Sequence, residues 1–489
     1  MPISALDIGV MIVYLAGITA IGVFAGGKQH SSKDYFVSEK AVPWIAVCFA
    51  IVATETSALT FLSLPGLAFV GNFNFLQLGV GYILGRIIVS WLLLPRYFEG
   101  ELSTAYEYLQ RRFNPIVRRT ASVTFMGTRL FADGVRLYTT AIPIAILLGS
   151  SQGGDSFGLY VGAIVLLSAL TLLYVFFGGV RAVIWTDVIQ LFLYLSGAVI
   201  SIVVLMDLLP GTFGEAMAQA NQLGKLEIFP SLEFSSFSEF LKDTYSVPAS
   251  IFGGMFLSMS SHGVDQLIIQ RVLATNNLRK ARAALTLSGF VVTIQFAVFL
   301  VVGTLLFLFF GSGEYGANDV FAQFIIEYIP VGFTGLIIAG LLAAAMSTLS
   351  GSISSLSSTT VLDLFVPLSK KEHSQQELLK ISRLVSIGWC IAIALSAVLF
   401  INTQEYVVEL ALSIASITYG SLLGLFLMGS LQPRVNSMNA LHGFVTGMAA
   451  MVCIFFLTEI AWTWYVAIGA IVSSGTAQLS AIILPSRKT

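Results

Sequence analysis

An all-α polytopic membrane protein, crossed by about thirteen transmembrane helices, is the fold class this sequence predicts. Three observations predict it. The 489 residues are 56% apolar and only 10% charged, with a mean hydropathy of +0.87, whereas a soluble domain carries about 25% charged residues. Apolar runs long enough to cross a bilayer recur from end to end. Basic residues collect in alternate connections between those runs, the pattern of a fixed orientation in a membrane.

The predicted spans are 5–26, 43–70, 73–98, 115–149, 156–177, 181–209, 246–270, 278–311, 329–366, 377–401, 405–430, 438–457 and 460–484. The first is read as a retained helix. Met1-Pro2-Ile3-Ser4-Ala5-Leu6-Asp7 has no basic region, and no small-residue cleavage site follows it. With an external N-terminus, the connections 27–42, 97–114, 271–283, 367–383 and 431–437 fall inside. Together with nearby helix ends and the tail, they hold twenty of the 25 Lys and Arg. This predicts a multi-pass protein of the plasma (inner) membrane with its C-terminus in the cytoplasm. The longest connection, 210–245, is too short for an enzyme domain and suits an external amphipathic helix or lid. A net charge of −1 gives no sign of a nucleic-acid partner. Cys48, Cys390 and Cys453 lie in apolar stretches without metal-ligand spacing, so no transition metal is expected.

Charges inside spans are expensive and point to function. They include Glu55, Arg86, Arg129, Asp133, Arg136, Asp187 and Asp265. Arg129, Asp133 and Arg136 share one helix face. They form either a buried structural network or one that leaves an arginine for a solute or for Glu55. Glu55 sits in a polar stretch, Val52 to Thr60, that interrupts its span, with Pro65-Gly66 following. A helix broken there frees carbonyls for an ion and side chains for a solute. The alternative, Ser/Thr bonding back within an intact helix, leaves the carboxylate unexplained. Asp187 lies about two turns into its span, where an acid can ligate a cation or bond hydroxyls of a neighbouring helix. From Ser347 to Thr360 the chain is rich in hydroxyls, which suit either close helix packing or a hard cation such as Na⁺. The turn Ser347–Ser350 reads as ion-binding, and Ser352 onward as a packing surface.

These segments resemble the sodium:solute symporter family, whose members share the LeuT-type fold. The resemblance covers nearly the whole chain. It is carried by Gly178 to Gln190, Ser57-Ala58-Leu59-Thr60-Phe61, Thr104 to Leu109 with Arg112-Phe113, Asp265 to Arg271, and Ala343 to Ser350. The Ser-Ala-Leu-Thr stretch looks like the branch of iodide, monocarboxylate and multivitamin symporters, with bacterial sialic acid transporters nearby.

The resemblance implies a single transporter domain over 1–489. Residues 43–209 and 246–430 would form two inverted five-helix repeats, with one helix before (5–26) and two after (438–484). It implies Na⁺ as coupling ion, held by the carbonyls of Ala53, Thr56 and Ala344 and the hydroxyls of Ser347 and Thr348. Some sialic acid transporters hold a second Na⁺. Asp187, Ser347 and Ser350 match that set, but Gly351 stands where a further serine is expected. The solute pocket would be lined by Glu55, Ser57, Thr60, Gly79 and His262, with Arg129 and Arg136 nearby. Ala132 replaces the arginine that clamps the sialic acid carboxylate, which argues against that solute. Glu55 with His262 suggests hydroxyl- or amine-bearing solutes, unless an arginine neutralises Glu55.

The function expected is therefore Na⁺-coupled symport of a small polar organic solute by alternating access, and not enzymatic. The expected partners are that solute and the bilayer, with no nucleic acid and no obligate protein partner. A proton-coupled carrier using Glu55 or Asp187 is the nearest alternative. A membrane sensor is disfavoured by the short tail to Thr489.

Overall fold

The computed structural model describes residues 4–483, apart from 28, 39–40, 101, 148–155, 230–235, 312–314, 318–319, 370 and 402–406. Lys28, Lys40, Lys370, Arg487 and Lys488, which contribute to the predicted orientation, lie outside the described residues. The principal helices are α1 (Ala5–Ala25), α2 (Trp44–Glu55), α3 (Ala58–Val70), α4 (Leu76–Leu92), α5 (Pro115–Leu147), α6 (Ser156–Leu208) and α7 (Gly254–Gly263). They continue with α8 (Gln266–Leu273), α9 (Leu278–Phe310), α10 (Phe333–Ser358), α11 (Gln375–Leu399), α12 (Val407–Leu431), α13 (Ser437–Leu457) and α14 (Tyr465–Ile483).

Among the described residues, eight helical segments are long and apolar enough to cross a membrane, or nine when the bent pair α2–α3 counts as one. This is fewer than the thirteen expected, for physical reasons. The pair α2–α3 meets at 65°. α4 has only 17 residues. α5 carries Arg118, Arg119, Arg129, Asp133 and Arg136. The two spans expected at 156–177 and 181–209 are two helical stretches that meet at Gly179, where the backbone is not helical, and they are counted as one segment, α6. Gly179 has φ +59, and a Cβ there would stand 2.7 Å from the Tyr35 carbonyl oxygen, so glycine is required.

The span expected at 246–270 is interrupted. A π-helical turn at Ala249–Gly253 leads into α7, which stops at Gly263, and α8 restarts after Asp265. The Asp265 carboxylate accepts from the Leu267 N–H at 2.8 Å and so caps the new helix. The break between α2 and α3 follows the same logic. Thr56 is extended, and Ser57 caps α3 by accepting from the Thr60 N–H at 3.4 Å.

α10 occupies the centre. All its residues except Phe333 and Leu336 are buried, as expected of a helix apolar or small on every face. Its start is tied to α1, because the Asp7 carboxylate accepts from the N–H groups of Gly332 (2.7 Å) and Gly335 (2.8 Å). In the 210–245 connection, a helix at Phe213–Gln222 begins with a Thr212–Glu215 capping box. Those bonds hold the Glu215 carboxyl below its usual range. Lys225 Nζ then donates to the Phe69 and Gly71 carbonyls at 2.7 and 2.9 Å, a cation docked on the C-terminal end of α3.

Candidate functional site

The end of α2 faces the middle of α10. Because α2 stops at Glu55, the carbonyls of its last turn have no helical successor to donate to them. The Thr56 hydroxyl donates to the Val52 carbonyl at 2.8 Å and accepts from Gln295 Nε2 at 2.7 Å, which fixes the broken strand of chain against α9. Between these elements lies a cavity of about 10 Å³ lined by Ala53, Thr56, Gln190, Leu191, Tyr194, Ala344 and Ser347. That is the room one water-sized particle needs. Four of the five residues expected around the main Na⁺ therefore share one small space. The fifth, Thr348, donates to the Ala344 carbonyl at 3.1 Å and lines the neighbouring cavity instead.

Two lining groups were not foreseen. Gln190 Oε1 and the Tyr194 hydroxyl are buried and have no hydrogen-bond partner among the described residues. Buried oxygens left without donors suit a cation. Gln190 closes the sequence stretch that begins at Gly178, so its presence was visible while its destination was not. Ser347 donates its hydroxyl hydrogen to Asp187 at 2.7 Å, which leaves the oxygen lone pairs available to an ion. The polar side chains in the lining, those of Thr56, Gln190, Tyr194 and Ser347, are uncharged, and neutral oxygens are ligands that fit Na⁺.

Asp187 itself is differently engaged. Its Oδ2 accepts from both Arg271 Nε (3.1 Å) and Nη2 (2.8 Å), while Ser350 turns its hydroxyl to the Ser347 carbonyl. The expected second-ion set therefore has an arginine in its midst.

A second cavity, also about 10 Å³, is lined by Ser57, Asp133, Arg136, Leu137, Thr140, Ala345, Thr348 and Leu349. Asp133 stands between two arginines, 3.2 Å from Arg129 Nε and 3.5 Å from Arg136 Nη1. Arg129 is buried and also 3.8 Å from Asp265, whose Oδ2 accepts from the Tyr419 hydroxyl at 2.5 Å. Ser352 donates to Asp133 at 2.5 Å. Arg129 is thus enclosed by acids and does not line this cavity; Arg136 is the partly exposed member that does. Thr60 lies beside Ser57, with their hydroxyls 3.3 Å apart.

The pairing of Glu55 resolves one open alternative. Its carboxylate is bound by Arg86, a fully buried residue that also donates to the Ser288 hydroxyl at 2.7 Å. His262 Nε2 lies 3.6 Å from the same carboxylate oxygen. The acid is therefore neutralised by an arginine, and not by either arginine of α5. Gly79 also departs from expectation. It lines neither cavity but presses on α9, where a Cβ would stand 2.7 Å from Thr293.

The hydroxyl run divides after Ser352, which bonds to Asp133 and so departs from the packing role expected of it. Ser354 accepts from Gln270 Nε2 at 2.9 Å, and Ser355, Ser357 and Ser358 donate to carbonyls of their own helix. These are packing contacts.

The chain is similar to several known proteins. A sodium/sialic acid symporter from Aliivibrio fischeri is 28% identical over 94% of this chain and 90% of its own. The human sodium-coupled monocarboxylate transporter 1 is 28% identical over 90% of this chain and 71% of its own. The solved structure of a Na⁺-coupled sialic acid symporter, substrate-bound and outward-open, superposes with a TM-score of 0.87 at 27% identity, covering 99% of both chains. The model of the Sodium:solute symporter family matches residues 35–447. The chain belongs to that family, whose members are transporters rather than enzymes, and its coupling ion is Na⁺.

Proposed function

We propose that this protein carries a small polar organic solute into the cell together with Na⁺, by alternating access. The observation that carries the reading is the cavity between the α2 break and α10. There Ala53, Thr56, Ala344 and Ser347 meet two buried oxygens without donors. In this reading Na⁺ takes the Ala53, Thr56 and Ala344 carbonyls and the Ser347 hydroxyl, with Gln190 and Tyr194 as additional oxygens. Thr348 lies one residue further along, between the ion and the solute. The solute occupies the second cavity, against Ser57 and Arg136, with Thr60 beside Ser57. Arg136 makes a carboxylate-bearing solute the best match, since a partly exposed guanidinium can take a carboxylate in place of its long contact to Asp133.

Two breaks support a 5+5 repeat within the thirteen-span reading. α2–α3 opens the first expected repeat, and α7–α8 opens the second. Interrupted helices in corresponding positions are the mark of an inverted-repeat carrier. The orientation proposed is N-terminus outside and C-terminus inside.

Binding of Na⁺ orders the broken segment and raises solute affinity; linkage requires the converse in equal measure. One charge moving inward through 100 mV contributes about 2.3 kcal/mol. A tenfold Na⁺ gradient adds about 1.4 kcal/mol. Together they support several-hundred-fold accumulation of a neutral solute, while a monoanion cancels the electrical part. For the proton-coupled alternative, both candidate acids, Glu55 and Asp187, are already paired with arginines. Uptake of a panel of radiolabelled small carboxylates into proteoliposomes tests this. A Na⁺ gradient drives uptake of at least one, and a pH gradient alone does not. Uptake driven equally well by protons refutes the sodium assignment.

A further inference from the structure

We propose that Arg271 is the resident cation of the Asp187 site, so that this carrier binds a single exchangeable Na⁺ per chain. The inference rests on the sodium reading above and deepens it.

The argument begins with saturation of the acid. Arg271, the sixth residue of α8, is 1% exposed, and Asp187 is fully buried. One carboxylate oxygen takes two guanidinium N–H groups, at 3.1 and 2.8 Å, and the other takes the Ser347 hydroxyl at 2.7 Å. The remaining terminal nitrogen, Nη1, donates to the Leu267 carbonyl at 2.7 Å. The guanidinium is therefore anchored by its own helix while it neutralises an acid on α6. A metal ion at Asp187 would have to displace a fixed positive charge or sit beside it, and repulsion at such short range in a buried site is severe.

The second part is steric. A Cβ at Gly351 would stand 2.6 Å from Arg271 Nη2 and 3.1 Å from Nη1. Any side chain at 351, serine included, collides with the guanidinium. Gly351 and Arg271 thus form one device: the glycine vacates the space that the arginine fills. Its effect reaches the sodium cavity through Ser347, which donates its hydroxyl hydrogen to Asp187 and is one of the residues that line that cavity. Arg271 is a positioning residue for the one ion. The Asp187 site also stays neutral after the ion leaves, so the returning empty carrier moves no net charge there.

Equilibrium binding of radiolabelled Na⁺ to the purified full chain tests this. The wild type is expected to saturate at one Na⁺ per chain. The variant R271M/G351S, which frees the acid and supplies a hydroxyl, is expected to saturate at two. Two ions in the wild type overturn the proposal, as does one ion in a double variant that remains folded and monodisperse. The wild-type count decides the question even where the variant fails to fold. No bound Na⁺ in the wild type refutes the sodium site itself, and this inference with it.

Discussion

Ser347 is where the two halves of the account meet. Its hydroxyl hydrogen goes to Asp187, and the residue lines the cavity at the end of α2. Ser347→Ala is expected to weaken Na⁺ activation of uptake at least tenfold with the fold retained. Thr348→Ala, whose hydroxyl bonds the Ala344 carbonyl and lines the other cavity, is expected to act mainly on solute affinity. A sodium response unchanged in both variants would remove the site. Glu55 and Arg86 give a stability prediction. Breaking a buried pair by removing one partner costs about 3–5 kcal/mol, whereas replacing both is often nearly neutral. R86M should therefore lower the thermal midpoint far more than R86M/E55Q, as read by thermal denaturation. The charged residues were legible in the sequence because each is an anomaly within an apolar span. Their partners were not. Glu55 meets Arg86 from 31 residues away, and Asp187 meets Arg271 from 84. No helical period links such positions; only the packed fold does.

Broken helices are the elements that make transport possible, and they differ in how openly the sequence declares them. The first break was legible because Thr54, Glu55, Thr56 and Ser57 put four polar residues at what should be membrane depth. The second was hidden. Asp265 could be read as one more intramembrane charge, and its role as a helix cap depends on the backbone turning at Val264. The kink in α6 lies between its two expected spans, so the interruption at Gly179 was visible in the sequence. Gly179→Ala forces a side chain into left-handed backbone and against the Tyr35 carbonyl. A loss of about 1–3 kcal/mol is expected, visible as a lower unfolding temperature. An unchanged midpoint would show that the kink relaxes without strain.

For the whole molecule, the sequence conveyed class and direction better than count. Composition alone places the chain in a membrane. The number of spans is blurred, because a carrier must break, charge and bend the very helices that span counting relies on. The central claim, that Na⁺ bound at the junction of α2 and α10 drives solute entry, is tested most directly by coupled flux. The protein is reconstituted in liposomes, and entry of radiolabelled Na⁺ is followed with and without a carboxylate chosen from the panel by its Na⁺-dependent thermal stabilisation. The account predicts that this solute accelerates Na⁺ entry in the wild type and has little effect in S347A. Solute entry at the same rate in Na⁺ and in K⁺, with no acceleration of Na⁺ flux, would contradict it.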